Sequence, residues 1–200
     1  MRVLSELHQA FLSSPKNELA KWIDQNSDRY QHILGVVVLV EQITNHLPKE
    51  TRELSILCAY LHDIGYSPSI KNQFQLEEPP VSFFQFHPID GYHWILMNKL
   101  PEVCAYVAKY HTFSEQECKL GHKLLYLSYE RGEKNEEHQW YIDLITYADL
   151  RTSPKGERVT PMERIEEIGQ RRGFDSVPYR VLNRSQNEIE QNTQKVENGL

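Results

Sequence analysis

The heptapeptide Ala59-Tyr60-Leu61-His62-Asp63-Ile64-Gly65 contains a histidine followed directly by an aspartate. This pair is weak evidence for a functional site when it is considered alone. Further residues of the types that bind metal ions flank it at moderate intervals on both sides, and they are His32, His87, His111 and Asp149. The resulting order, His…His-Asp…His…His…Asp, is a far more specific signal than the pair and indicates metal chemistry.

The composition is that of an ordinary soluble protein with one domain. The chain has 200 residues, of which 40% are hydrophobic and 25% are charged, and this length is enough for one good core. Because the formal net charge is −6, we expect neither a nucleic-acid polymer nor an anionic membrane as a partner. The longest apolar run, residues 33–40, is far shorter than the ~20 residues that span a bilayer.

The cysteines Cys58, Cys104 and Cys118 are odd in number and lack the spacing Cys-x-x-Cys. They suit a reducing compartment, in which we expect them to act as small apolar core residues. The N-terminus shows no apolar segment of the kind found in secretory signals. We therefore predict a cytoplasmic protein.

Helical periodicity dominates the chain, and the alternation typical of strands is rare. Ser27 can cap a helix that runs to about Leu47, and the apolar residues of this helix follow the spacing of one buried stripe. Pro48 opens the next helix, which brings His62-Asp63 to its C-terminal end just before Gly65. These patterns predict an all-α fold, a single-domain helical bundle.

We divide the chain into three parts on the same grounds. Residues 1–27 are predicted to form N-terminal helices that pack on the core, and residues 28–182 the domain that carries the metal ligands. Residues 183–200 are rich in Asn, Gln and Glu, and we predict a polar, disordered tail. Within the domain, the segment 66–86 combines three prolines with several phenylalanines, which predicts an ordered flap over the site without regular helix.

Asp149 and His111 are predicted to be buried. Asp149 shares a helical row with Ile142 and Ile145, and an isolated buried carboxylate is very costly unless it is paired, neutralised or bound to metal. Several buried groups of this kind on different helices are best explained by metal bound in the core of the bundle. Imidazole nitrogen together with carboxylate oxygen suits iron, manganese, cobalt, nickel or zinc rather than calcium.

The order of these residues resembles that of the HD-domain superfamily of metal-dependent phosphohydrolases, and the resemblance covers roughly residues 28–172. It implies that one metal ion is held by His32, His62, Asp63 and Asp149. His87 and His111 match histidines of the subgroups that bind a second ion with the aspartate of the pair bridging, so we predict two divalent transition-metal ions, with iron or manganese favoured. The surroundings of His32 and His111 are similar to those of bacterial dinucleoside polyphosphate hydrolases.

This resemblance implies hydrolysis of a phosphoester or phosphoanhydride in a small, nucleotide-like phosphorylated substrate. Two metal ions lower the pKa of a bound water, and Asp63 could accept its proton. Phosphate oxygens also need cationic partners in the transition state. We predict Arg29 and Arg151 as catalytic and substrate-binding residues, because each is close in sequence to a proposed ligand, and the substrate-binding candidates Lys109 and Lys155 are treated as weaker.

Two other functions are compatible with the same residues. Some oxygenases with the HD fold place an equivalent ligand set around two iron ions, so the ligands alone do not exclude a di-iron oxygenase. A non-catalytic helical binding module that keeps metal only for stability is the second alternative, although the complete ligand set argues against it.

Overall fold

The structure is a computed structural model that describes residues 5–70, 87–121, 126, 127, 129 and 136–199. In these residues the regular structure is helical, and the closest approach to a sheet is a single antiparallel bridge between Thr152 and Arg158. The prediction of an all-α fold is therefore confirmed. In the same part of the chain no helix has the length and apolar character needed to cross a membrane.

Two short helices form the N-terminal part, α1 (Glu6–Ser13) and α2 (Pro15–Leu19). The Ser5 hydroxyl accepts a hydrogen bond from the backbone N–H of His8 and so caps α1. Phe11 and Leu19 are fully buried in the main apolar core, so these helices are part of the same packed unit as the rest of the bundle.

Helices α3 (Asp28–Ile43) and α4 (Lys49–Leu61) pack against each other and carry the first ligand-type residues. Ser27 accepts a hydrogen bond from the N–H of Tyr30, as the sequence predicts, and α3 buries the expected stripe of Ile33, Val36, Val37 and Val40. Helix α4 ends at Leu61, so His62 and Asp63 follow it directly and lead into a 3₁₀ turn over Ile64–Tyr66.

Gly65 in this turn allows a close approach between two parts of the backbone. A Cβ atom at this position would lie 2.0 Å from the carbonyl oxygen of His87 and 2.8 Å from the nitrogen of Gly91. The first turn of α5 (His87–Met97) therefore sits directly on the turn after His62-Asp63. This contact brings His87 beside Asp63.

The middle of the chain continues with α6 (Glu102–Tyr110) and α7 (Ser114–Gly121), joined by a 3₁₀ turn over His111–Phe113. Thr112 and Phe113 have positive φ angles, 49° and 63°, which residues with side chains adopt only under constraint. This sharp turn places His111 at the end of α6 and reverses the chain into α7.

Helix α8 (Gln139–Asp149) lies centrally and packs against α3, α4 and α6. Helix α9 (Pro161–Arg172) begins with a capping box formed by Thr160 and Glu163. The chain then forms α10 (Val177–Arg184) and α11 (Gln186–Asn198).

The prediction of a disordered tail over residues 183–200 is wrong. Helix α11 packs on α8, burying Ile189 and Val196, while the Asn192 side-chain amide donates a hydrogen bond of 2.9 Å to the carbonyl of Asp143. The composition is polar because only one narrow face of this helix is buried, and two apolar residues seven positions apart are enough to attach it.

Candidate metal centre

Five helical elements deliver the ligand-type residues to one buried point. His32 lies in the second turn of α3, and the remaining residues lie at helix ends: His62 and Asp63 after α4, His87 at the start of α5, His111 after α6, and Asp149 at the end of α8. All six side chains are buried or nearly so, and His62 is fully inaccessible. Residues up to 117 positions apart in the sequence, from His32 to Asp149, therefore form one cluster.

Asp63 lies at the middle of this cluster and presents each of its carboxylate oxygens to a different pair of histidines. Oδ2 lies 3.4 Å from Nε2 of His62 and 3.9 Å from Nε2 of His32. Oδ1 lies 3.3 Å from Nε2 of His87 and 3.5 Å from Nε2 of His111. The two resulting groups, His32–His62–Asp63 and Asp63–His87–His111, could each hold a metal ion.

Asp149 extends the first of these groups. Its Oδ1 lies 2.9 Å from Nε2 of His32, and its Oδ2 accepts a hydrogen bond from the hydroxyl of Thr112. The backbone N–H of Thr112 in turn donates a 3.0 Å hydrogen bond to the Thr146 hydroxyl on α8. The strained turn after His111 thus ties the orientation of Asp149 to the end of α6.

Backbone carbonyls orient the imidazole rings. Nδ1 of His32 lies 3.1 Å from the carbonyl oxygen of Ser153, and Nδ1 of His62 lies 2.7 Å from that of Ala59. Nδ1 of His111 lies 2.9 Å from the carbonyl oxygen of Ala108. Because a carbonyl can only accept, a proton is on Nδ1 in these rings, and Nε2 is the nitrogen directed toward Asp63 and Asp149.

The surroundings of the Nε2 atoms indicate whether this site fits a metal ion. In the described part of the chain, Nε2 of His32 and Nε2 of His62 are buried and have no hydrogen-bond partner of suitable geometry. Buried polar atoms without a partner are costly, and metal-ligating histidines usually donate the other ring N–H to a carbonyl or carboxylate. The donor set of imidazole nitrogens and carboxylate oxygens fits a first-row transition metal.

Close packing of two glycines allows the carbonyl contact to His32. A Cβ atom on Gly35 would lie 2.6 Å from Cα of Gly156, and Gly156 itself has a φ of +79°. The loop after α8 can therefore lie directly against α3, which brings the Ser153 carbonyl over the imidazole of His32. A larger residue at either position would separate the loop from the helix.

The electrostatics keep both carboxylates ionised. Burial alone would raise the pKa of Asp63, but the Arg29 guanidinium and the surrounding imidazoles hold it well below its usual range. Burial likewise opposes ionisation of Asp149, yet its contacts with His32 bring the pKa of that carboxyl below its usual range. Burial also lowers the pKa of His87 to about 4. The cluster therefore offers anionic oxygens and a neutral imidazole, the forms that bind cations.

A family model for the HD domain matches residues 29–149, which is more than half of the chain and includes every residue of the cluster. The chain belongs to the HD domain family. The comparison with curated proteins and the comparison with solved structures gave no significant match. The resemblance to dinucleoside polyphosphate hydrolases in particular remains a prediction.

Arg29 reaches the cluster, and its role toward a phosphate group stays a prediction. Its guanidinium pairs with Oδ2 of Asp63 and lies 3.9 Å from the centre of the Tyr66 ring. Tyr66 is in turn stacked on His87, with 4.0 Å between the ring centres. Burial would lower the pKa of Arg29, but the neighbouring carboxylates raise it above the usual value, so this HD-domain protein carries a permanent cation beside the candidate metal ligands.

The structure does not bring Arg151 to the cluster, and its predicted role as a phosphate partner stays a prediction. Helix α8 ends at Asp149, and the chain turns so that the Arg151 side chain points toward α11. The guanidinium lies 3.7 Å from the centre of the Tyr147 ring and donates a 2.8 Å hydrogen bond to the Thr193 hydroxyl. Arg151 therefore helps to attach the C-terminal helix.

Lys109 and Lys155 are also placed elsewhere. The Lys109 ammonium lies 4.9–5.1 Å from the ring centres of Tyr92, Tyr110 and Tyr129. Lys155 is exposed and lines a separate cavity beside α3. Neither residue lines the cavity that contains the metal ligands, so the structure does not support them as substrate-binding residues.

Sequence reasoning missed the opposite wall of this cavity. Helix α9 contributes Arg164, Arg171 and Arg172, and α7 contributes Glu117. The arginines follow the spacing i, i+7, i+8, which puts them on one helix face, but nothing in the sequence indicates that this face looks toward the histidines. The predicted flap over residues 66–86 lies largely outside the described residues, which include only its first five positions.

Proposed function

We propose that this HD-domain protein is a metal-dependent phosphohydrolase that cleaves a phosphoester or phosphoanhydride of a small, nucleotide-like substrate. The observation that carries the proposal is Asp63, whose two oxygens face two separate histidine pairs while an arginine pairs with the same carboxylate. A bridging carboxylate between two cation positions, with a permanent positive charge alongside, suits a phosphate group at the point where water attacks.

The residues proposed to hold metal divide into two sets. His32, His62, Asp63 and Asp149 would hold one ion, and Asp63, His87 and His111 a second. Bound divalent ions supply Lewis-acid polarisation of phosphate oxygens and lower the pKa of water toward neutrality. We propose iron or manganese as the resident metal, since nitrogen and oxygen donors are mixed and the described part of the chain offers no thiolate in either set.

The protein side chains have separate tasks in this proposal. Arg29 would bind a phosphate oxygen and orient the phosphorus atom, since its guanidinium lines the cavity. Among the described residues that line the cavity, Glu117 is the carboxyl group that neither metal set uses. Burial raises the pKa of Glu117 to about 7. We propose that its protonated carboxyl donates a proton to the leaving oxygen.

The test is metal analysis followed by an activity panel. Protein purified without chelator should contain a transition metal and release phosphate from nucleotides in the presence of Mn²⁺ under anaerobic conditions. The variants His62→Ala and Asp63→Ala should lose both metal and activity. His46→Ala is the matched control, because His46 is exposed and lies outside the cluster.

The alternatives predict different results in the same experiment. A di-iron oxygenase would consume oxygen and show no anaerobic phosphate release. A metal-stabilised binding module would contain metal as purified, would lose it and melt at a lower temperature after His62→Ala, and would turn over no nucleotide in the panel. Stoichiometric metal in both His62→Ala and Asp63→Ala would contradict the assignment of the site itself.

A further inference from the structure

Two cavities meet at the candidate metal centre, and arginines separate them. The first contains the proposed metal ligands Asp63, His87, His111 and Asp149, together with the arginine wall of α9. The second cavity is lined by Asp28, His32 and Pro154 besides arginines. The residues that line both cavities are Arg29, Arg164 and Arg171.

Among the described residues, these three arginines have two carboxylate partners within ion-pair distance, Asp63 and Glu167. Arg164 pairs with Glu167, and Nε of Arg171 lies 2.5 Å from the other oxygen of the same carboxylate. Arg29 pairs with Asp63, which is also the proposed bridging metal ligand. Three guanidinium groups thus share two carboxylates, and one of those carboxylates also faces the histidines.

The arrangement suits an anion that enters from solution. Arg164 is buried, whereas the side chain of Arg171 is 38% exposed, so the cluster extends from the interior to the surface. Guanidinium groups bind phosphate through paired N–H donors, and this geometry explains why arginine rather than lysine is used where phosphate is recognised. The arginines adjoin the proposed catalytic centre, so a second phosphate of the substrate would lie beside them.

We propose that Arg29, Arg164 and Arg171 form a subsite for a second phosphate group, so that the substrate contains at least two linked phosphates. The phosphate that is cleaved lies at the metal ligands, and the neighbouring phosphate is held between α3 and α9. This inference rests on the proposed function for the first phosphate, but the subsite itself is defined by the arginines.

Binding to the protein as purified, with its metal, tests the subsite without turnover. Calorimetry compares the 5′-methylenephosphonate analogue of adenosine monophosphate, whose C–P bond replaces the ester, with adenosine α,β-methylene diphosphate, whose P–C–P link resists hydrolysis. The diphosphonate should bind the wild type about tenfold more tightly or better, since hydrogen bonds to charged groups contribute about 1.5–3 kcal/mol each. Arg171→Ala should remove most of this difference, and Arg171→Lys should restore only part of it.

Arg180→Ala is the matched control, because Arg180 is an exposed arginine of α10 that lines neither cavity. This variant should keep the wild-type preference for the diphosphonate. Thermal melts of all variants check that each one is folded. Equal affinity of the wild type for the two ligands, or an unchanged preference in Arg171→Ala, would overturn the subsite.

A kinetic panel separates failure of this inference from failure of the proposed function. Phosphate release from a nucleoside monophosphate as efficient as from a diphosphate, with Arg171→Ala affecting both equally, would leave the hydrolase intact and overturn the second subsite. Absence of turnover on every nucleotide, with Arg171-dependent binding of the diphosphonate retained, would overturn the hydrolase and support the subsite.

Discussion

Replacing Gly65 with alanine should displace His87 from the other ligands of the candidate metal centre. The new Cβ atom would lie 2.0 Å from the carbonyl oxygen of His87, whereas ordinary contact begins at 3.4 Å. Because the obstacle is backbone on both sides, the start of α5 has to withdraw by about 1.4 Å, the difference between those two distances. His87 would move with it and away from Asp63.

Both the stability and the metal content of this variant should change. Overpacking of a closed site costs about 1–3 kcal/mol, which corresponds to a decrease in Tm of roughly 2 to 12 °C for a protein of this size. Metal–ligand distances tolerate only about 0.2 Å of error, so displacement of His87 should release the second ion and most of the activity. Thermal melting and elemental mass spectrometry measure the two effects.

Gly91→Ala is the matched control in the same helix. A Cβ atom there would lie 3.4 Å from its nearest neighbours, Cβ of Ala108 and the nitrogen of Gly65, which is ordinary contact, and alanine stabilises a helix interior by ~1 kcal/mol relative to glycine. This variant should keep its metal and melt at the wild-type temperature or above. A Gly65→Ala protein with wild-type Tm and wild-type metal content would refute the argument from close approach.

Four further substitutions test single residues. Arg29→Ala should lower kcat/KM about a hundredfold through loss of a charged donor, while the metal content stays at the wild-type level. Wild-type kinetics in this variant would show that Arg29 has only a structural role. Thr112→Val should weaken metal binding because Asp149 loses its hydroxyl donor, whereas Thr112→Ser should restore it; equal metal affinity in the two variants would contradict this. Glu117→Gln should slow substrates with poor leaving groups more than those with good ones, and a uniform effect would argue against proton donation. Arg151→Ala should lower the free energy of unfolding by about 1–2 kcal/mol without changing kcat. A lower kcat in the folded variant would instead support the predicted role of Arg151 as a phosphate partner.

Much of the centre could be predicted because its ligands lie where local rules place them. Ser27 caps α3, and the apolar stripe of that helix identifies the face beside which His32 lies. The His62-Asp63 pair directly follows α4 and is itself followed by a glycine two residues later, and Asp149 ends α8 in a row with Ile145. Helical periodicity and helix caps depend on residues that are close in sequence, so both can be recognised from the sequence alone.

The substrate side could not be predicted in the same way. Arg151 is two residues from Asp149, yet the chain has left the helix between them, and proximity in sequence no longer implies a shared direction. Arg164 and Arg171 face the histidines only because α9 packs across the site from α3. That placement depends on tertiary contacts, and the same holds for α11, whose narrow apolar face has meaning only beside α8.

The most direct test of the account is the number of metal ions per chain in the wild type and in the double variant His87→Ala/His111→Ala. Asp63 faces both histidine pairs, and the first set of ligands is complete without His87 and His111. The account predicts two ions in the wild type, and one ion with little activity in a double variant that is shown to be folded by its thermal melt. Equal metal content in the two proteins would contradict the dinuclear centre.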